Sequence, residues 1–196
     1  IIREYGTWTY AILFLIVFAE TGLVIMPLLP GDSLLFAAGT FAALGDLDPW
    51  LLSGLLIAAA ILGDTVNYWI GNKVGPRAFS GEIRFLKQEY LDKTRAFYAR
   101  HGGKTIILAR FVPIVRTFAP VVAGVWEMHY PRFLAYNVVG AFAWVLIFVW
   151  AGFWFGNIPP VKVRCPLVIL AIIAASVLPI AIEMFKGWRS RRASRT

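Results

Sequence analysis

Five ionisable side chains, Glu20, Asp32, Asp64, Arg110 and Arg116, stand inside stretches otherwise built mostly of apolar residues. A charge at the centre of a bilayer costs at least ~2.5–3.5 kcal/mol on insertion scales, so each needs a reason to be there. The arginines are the most informative. In Ala109-Arg110-Phe111-Val112-Pro113-Ile114-Val115-Arg116 they lie six residues apart with a proline between them. On an unbroken helix they would diverge around the cylinder, whereas a break near Pro113 lets both turn into one cavity. Arginine holds phosphate through planar, bidentate, charge-assisted hydrogen bonds, so two of them in a low-dielectric pocket make a phosphate site. Glu20 and Asp32 would balance that charge while the site is empty, and either is a candidate proton carrier. Structural explanations compete. In Leu28-Leu29-Pro30-Gly31-Asp32-Ser33 the proline and glycine break the helix and put Asp32 at an N-cap, where a carboxylate accepts backbone N–H bonds. Asp64, beside Asn67 and Tyr68 in an otherwise complete span, fits a neutralising salt-bridge cluster equally well.

These charges must be carried by membrane elements. The 196 residues are 59% apolar and only 15% charged, with mean hydropathy +0.70 and net charge +8. Soluble domains run to about 45–50% apolar and about a quarter charged, so an ordinary cytosolic enzyme and a disordered chain are both excluded. The lone Cys165 excludes an intramolecular disulfide framework and an all-Cys metal site, and no metal or other cofactor is expected. Residues 8–27 are apolar but lack the small-residue cleavage site of a signal peptide.

Measured against the ~20 residues that a crossing helix needs, five apolar regions emerge. Residues 8–44 are long and broken by Pro27, Pro30 and Gly31-Asp32, whereas 50–71 is a plain span. Residues 105–126 are interrupted by Arg110, Pro113, Arg116 and Pro120, while 133–156 and 165–185 read as full crossings. The segment 72–104 holds eight Lys/Arg against three acids, and the tail 186–196 holds five Lys/Arg and no acid. The positive-inside rule makes both cytoplasmic. A full crossing by 105–126 would leave the basic tail outside, so this region is expected to enter and return. Residues 8–44 read either as a second re-entrant hairpin that opens outwards or as a full span followed by a half-helix, and the hairpin is preferred because it mirrors the one at 105–126. Each half so reads as a broken, charged element followed by a span ending in Gly-x-x-x-Gly, at Gly71/Gly75 and Gly152/Gly156. Paired interrupted segments of this kind point to an inverted-repeat transporter with a midplane site. Between the halves, 76–104 places Tyr90, Leu91, Phe97 and Tyr98 at helical spacing. It reads as an amphipathic helix on the cytoplasmic face or a connector packed on the bundle. The expected fold is one membrane domain over 1–196, all-α, with two opposed re-entrant helical hairpins and about three full transmembrane helices.

The motifs Phe18-Ala19-Glu20, Pro30-Gly31-Asp32-Ser33, Gly63-Asp64-x-x-x-Tyr68-x-x-Gly71, Gly102 and Arg110-Phe111-x-Pro113-x-x-Arg116-Thr117 resemble, in order and spacing, the bacterial DedA family. They cover roughly residues 12–157, and their combination is specific. The resemblance implies two opposed re-entrant hairpins, a fold shared with the eukaryotic VTT-domain lipid scramblases. It further implies a role in envelope homeostasis, dependence on the proton-motive force, and return of polyprenyl phosphate carriers across the membrane. The family's functional acids and arginines carry over onto Glu20, Asp32, Arg110 and Arg116, supported by Gly31, Asp64, Tyr68, Pro113 and Thr117. Asn72 departs from the pattern, in which Arg or Lys often follows the glycine, although Lys73 is adjacent.

The expected activity is a proton-coupled flippase for a lipid phosphate, undecaprenyl phosphate above all. The alternatives are a proton-dependent small-solute or cation antiporter and a passive phospholipid scramblase. A lipid-phosphate phosphatase would need a nucleophilic His with a His or Asp partner. His101 and His129 sit at expected interfaces, so the chain reads as no enzyme. The partners are the lipid carrier phosphate, membrane phospholipids and the proton gradient, without nucleic acid, and a homodimer stays open. Trp126, Trp144, Trp150 and Trp154 read as interface belts and tail-facing surface. Residues 72–104 and the tail each contribute +5, while everything else sums to −2. The excess positive charge therefore reports topology, with the C-terminus on the cytoplasmic side; the resemblance implies that the membrane is a bacterial inner membrane.

Overall fold

The computed structural model describes residues 6–22, 31–75 and 88–158. They form helices α1 (Gly6–Gly22), α2 (Gly31–Ala43), α3 (Pro49–Val74), α4 (Gln88–His101), α5 (Thr105–Ala109), α6 (Pro113–Val125) and α7 (Tyr130–Gly156). A 3-10 turn at Gly102–Lys104 joins α4 to α5, and no strand occurs among the described residues. The span expected at 165–185, the tail 186–196 and the Pro27/Pro30 break lie outside the described residues.

Two helices are long and apolar enough to cross a membrane, α3 with 26 residues and α7 with 27. At 1.5 Å per residue they run about 40 Å, beyond the ~30 Å hydrocarbon core. They correspond to the spans expected at 50–71 and 133–156. Helix α3 starts sharply because Asp48 caps it, its carboxylate accepting from Leu51 N at 2.7 Å, with Pro49 in the first turn. By contrast α2 and α6, 13 residues each, are about 20 Å long and stop well short of a crossing.

The break expected inside 105–126 falls at 110–112 and has a local cause. Proline disfavours helical geometry in the residue before it, and Val112 is extended at φ −119°, ψ 105°. Upstream, Arg110, Phe111 and Val112 close α5 with bonds to the carbonyls three residues earlier. Downstream, Arg116 N reaches Val112 O at 2.9 Å and α6 begins. Inside α6, Pro120 has no N–H to offer, so the carbonyl of Arg116 loses its intrahelical partner.

Packing pairs the second limb of each half with the long helix of the other, α2 on α7 and α6 on α3. Both crossings use the same interlock. A Cβ on Gly39 would meet the Val149 carbonyl and one on Gly152 the Phe36 carbonyl. At the other crossing, Gly71 lies on the Val121 carbonyl and Gly124 on the Tyr68 carbonyl. Each interlock has a three-residue offset on either helix, so the two halves repeat one contact. Gly75 plays no such part, because it ends α3 with φ +57° and opens onto space.

The expectations for 76–104 divide on this contact. On α4, Leu91, Thr94 and Tyr98 are buried at helical spacing, and Leu91 and Tyr98 join the core around Phe118 and Phe133. Tyr98 Oη donates to Ala119 O at 2.9 Å, and burial pushes its hydroxyl above the usual tyrosine range. The apolar side of α4 is therefore spent on α6, as the packed-connector reading requires.

Candidate functional site

Two apolar cores meet at a polar layer. One surrounds Tyr68, Phe118 and Phe133; the other surrounds Leu35, Leu56 and Trp144. Between them on α3 stands Asp64, and between them on α7 stands Asn137. Asp64 and Trp144 lie within about 4 Å of the midpoints of their helices, counted along the axis.

The ends of four helices converge on this layer. Glu20 closes α1 and Gly31 opens α2, and Gly31 N donates to Glu20 Oε1 at 3.1 Å. Glu20 thus supplies the cap that Asp32 was expected to provide, because α2 begins at Gly31 and Asp32 already lies in its first turn. A Cβ at Gly31 would fall on the Glu20 carboxylate, which explains why the position is glycine. Arg110 follows α5 and Arg116 lies in the first turn of α6.

Both arginines turn into the same region. Their guanidinium carbons sit 5.8 Å (Arg110) and 5.1 Å (Arg116) from the ring centre of Trp144, a cation–π arrangement on one indole. Their acids are not shared. Arg116 Nη2 donates to Glu20 Oε1 and Nη1 to Asp32 Oδ1 at 3.0 Å. Arg110 Nη2 donates to Asp64 Oδ2 and to Asn137 Oδ1 at 2.6 Å, and Asn137 Nδ2 donates on to Ile61 O at 3.2 Å. The expectation that Glu20 and Asp32 balance both arginines is corrected here, since Asp64 is the carboxylate facing Arg110.

The two ion pairs differ in access. Arg110 and Asp64 side chains are 2% and 5% exposed, whereas Asp32 is 42% exposed beside a 9% exposed Arg116. Among the described residues, Arg110 Nε and Nη1 and Glu20 Oε2 are buried without a hydrogen-bond partner. Such orphans are rare in folded interiors and call for an explanation. Formally, three carboxylates face two guanidiniums, so one proton neutralises the layer.

Sequence reasoning missed two members. Trp144, read as belt or tail-facing surface, is fully buried and its Nε1 donates to Asp32 Oδ1 at 2.7 Å. Nothing local distinguishes it from Trp126 and Trp154, which are exposed as expected. Asn137 did carry a signal, a lone amide inside a very apolar helix. Of the supporting residues, Tyr68 stands off the cluster: its hydroxyl donates to Met128 O and its ring stacks on Phe133. Thr117 is buried beside Arg116, and Pro113 opens α6.

Residues 29–153, which hold all of this cluster but Glu20, match the VTT domain. Protein DedA of Escherichia coli K12 is 55% identical over 193 residues, 97% of this chain and 88% of that protein. The chain belongs to the DedA family. Within it, the uncharacterized membrane protein Rv0364 of Mycobacterium tuberculosis H37Rv is 42% identical over 96% of this chain and 84% of its own length. Inner membrane protein YqjA of Escherichia coli K12 is 34% identical over 76% of this chain and 69% of its own length. No solved structure matches the chain. This DedA-family chain is thus a membrane protein, helical without strands over the described residues, whose two long helices meet at a layer of paired charges.

Proposed function

We propose that this DedA-family protein is a proton-coupled translocase for a lipid phosphate, with a polyprenyl phosphate such as undecaprenyl phosphate as the cargo. The observation that carries the reading is the meeting of Arg110 and Arg116 on Trp144 at mid-depth, with guanidinium nitrogens on Arg110 still unpaired. Short α2 and α6 leave the cluster towards opposite ends, α2 along the C-terminal half of α7 and α6 along that of α3. This supports two opposed re-entrant hairpins, α1–α2 and α5–α6, with the described helix ends of both at the charges. A head group would need to reach only those helix ends while its chain stays in lipid.

Charge arithmetic supplies the coupling. With three carboxylates against two guanidiniums, the layer repels an anion until a carboxylate is protonated. Protonation of Glu20 or Asp32 releases one edge of the Arg116 guanidinium, and the phosphate takes the hydrogen bonds that the carboxylate gave up. Losing the proton restores the ion pair and expels the phosphate. Asp32, the most exposed of the three acids, is the one through which a proton would reach the cluster from outside the helix packing.

The test is translocation of polyprenyl phosphate into proteoliposomes under an imposed pH gradient. The proposal expects gradient-dependent transport in the native protein and loss of it in Arg116→Ala. Full transport by a folded Arg110→Ala/Arg116→Ala double variant would overturn the assignment. Gradient-driven solute or cation flux in vesicles without lipid phosphate would identify an antiporter instead, and gradient-indifferent lipid mixing a passive scramblase.

A further inference from the structure

Asn137 is fully buried on α7, and its amide is used at both ends. Nδ2 donates to Ile61 O at 3.2 Å, and Oδ1 accepts from Arg110 Nη2 at 2.6 Å. The two bonds fix which way the amide faces. Turned over, it would set an N–H against the Arg110 N–H and an oxygen against the Ile61 carbonyl. Two further residues on the same face of α7, three and seven positions on, receive the same arginine. Gly140 leaves room for it, since a Cβ there would lie 3.1 Å from Arg110 Cδ and Nε. Trp144 lies beneath the guanidinium. With Asp64 also on Nη2, that nitrogen is held by α3 and α7 together, while Nε and Nη1 stay unpaired among the described residues. A seat built only to satisfy a buried cation would not leave most of its N–H groups without acceptors.

We infer that Asn137 is the positioning residue of the anion site: it holds Arg110 by one nitrogen, leaves the other two to the phosphate, and does so without cancelling the charge. The inference rests on the reading of the cluster as a lipid-phosphate site and adds the group that orients it. The choice of an amide is what matters. A carboxylate at position 137 has nearly the same size, yet ionised it would cancel the Arg110 charge and press an oxygen on the Ile61 carbonyl. Protonated, it would copy the amide, its O–H donating to Ile61 O and its C=O accepting from Arg110. The other charged or titratable groups around Arg110 are Asp64 from α3 and Arg116 from α6. Glu20 of α1 and Asp32 of α2 are bound to Arg116, and the Tyr98 hydroxyl of α4 is tied to Ala119 O. Asp64 already faces Arg110, so a second carboxylate there would leave two acids on one guanidinium, sharing a proton between them. The amide spares the native site that extra proton.

The experiment is initial-rate translocation of undecaprenyl phosphate by the full chain in proteoliposomes. Lipid-phosphate content is varied, and a fixed pH difference is moved along the pH scale. Asn137→Ala lets the guanidinium turn, and is expected to raise the apparent KM about tenfold or more with the maximal rate little changed. That is the loss expected when one hydrogen bond to a charged group is removed. Asn137→Asp is expected to keep the native rate at acidic pH and to lose it at a lower pH than the native protein does. It decides the matter should Asn137→Ala fail to fold. If Asn137 served packing alone, the variants would melt earlier with KM and pH profile in place, and that result would overturn the inference. A native protein that moves no undecaprenyl phosphate overturns the reading of the site itself, and the inference falls with it. The native protein alone therefore tells the two failures apart.

Discussion

Asp64→Ala removes the carboxylate that faces Arg110 and leaves a guanidinium only 2% exposed with Asn137 as its remaining side-chain acceptor. Breaking a buried ion pair from one side costs about 3–5 kcal/mol, because the stranded charge keeps its desolvation penalty. By the scaling for chains of this size, the melting temperature falls by about 6–20 °C. The structure makes the prediction sharper through two companions. Asp32→Ala removes a carboxylate that is 42% exposed and leaves Arg116 its Glu20 partner, so its cost comes mainly from the buried Trp144 Nε1–H that loses its acceptor and stays near ~1–2 kcal/mol. The double variant Asp64→Ala/Arg110→Ala takes both charges away, and is expected to be more stable than Asp64→Ala alone. Thermal unfolding in one detergent, followed by loss of monodisperse protein, measures the three variants against the native chain. If Asp64→Ala and Asp32→Ala melt together, or if removing Arg110 as well costs further stability, then the Arg110–Asp64 pair does not hold the midplane together.

Three more outcomes follow from the same geometry. Trp144→Phe keeps a ring beneath the arginines but deletes the 2.7 Å bond to Asp32 Oδ1, so it should cost about 1 kcal/mol in stability and slow lipid-phosphate translocation in proteoliposomes. Gly31→Ala forces a methyl group onto the Glu20 carboxylate, and both it and Glu20→Gln are expected to slow the proposed transport in the proteoliposome assay, with α2 intact by circular dichroism. Gly71→Ala and Gly152→Ala press a Cβ into the facing backbone carbonyls and should each destabilise by about 1–3 kcal/mol. Gly54→Ala in the same helix as Gly71 meets open space and serves as the control, neutral or slightly stabilising in the same melting assay.

Much of the architecture was legible because its causes are local. Pro113 breaks the chain where it stands, and the break appears at 110–112. The starts and ends of α3 and α7 lie within a few residues of the expected spans, because a run of apolar residues bounded by Asp48-Pro49 or by Pro131 carries its own limits. The cap at the start of α2 was misassigned for an instructive reason. Asp32 has the right type and spacing for a cap, but Glu20, eleven residues earlier, reaches Gly31 N first and frees Asp32 for Arg116 and Trp144. The face of α4 was ambiguous because an amphipathic stripe buries equally well in lipid or on a neighbouring helix, and only the position of α6 chooses.

By itself, then, the sequence determined the class of protein, the break at Pro113 and the five charges placed at a cost inside apolar segments. Composition, proline geometry and the hydrophobic length of a helix are properties of contiguous residues. The tertiary structure decided which charges meet. Asp64 is 46 residues from Arg110, Glu20 is 96 from Arg116 and Asp32 is 112 from Trp144, and no local rule couples positions so distant. Packing the short helices of each half on the long helix of the other brings four helix ends together around Trp144, and that convergence turns scattered charges into a single buried cluster.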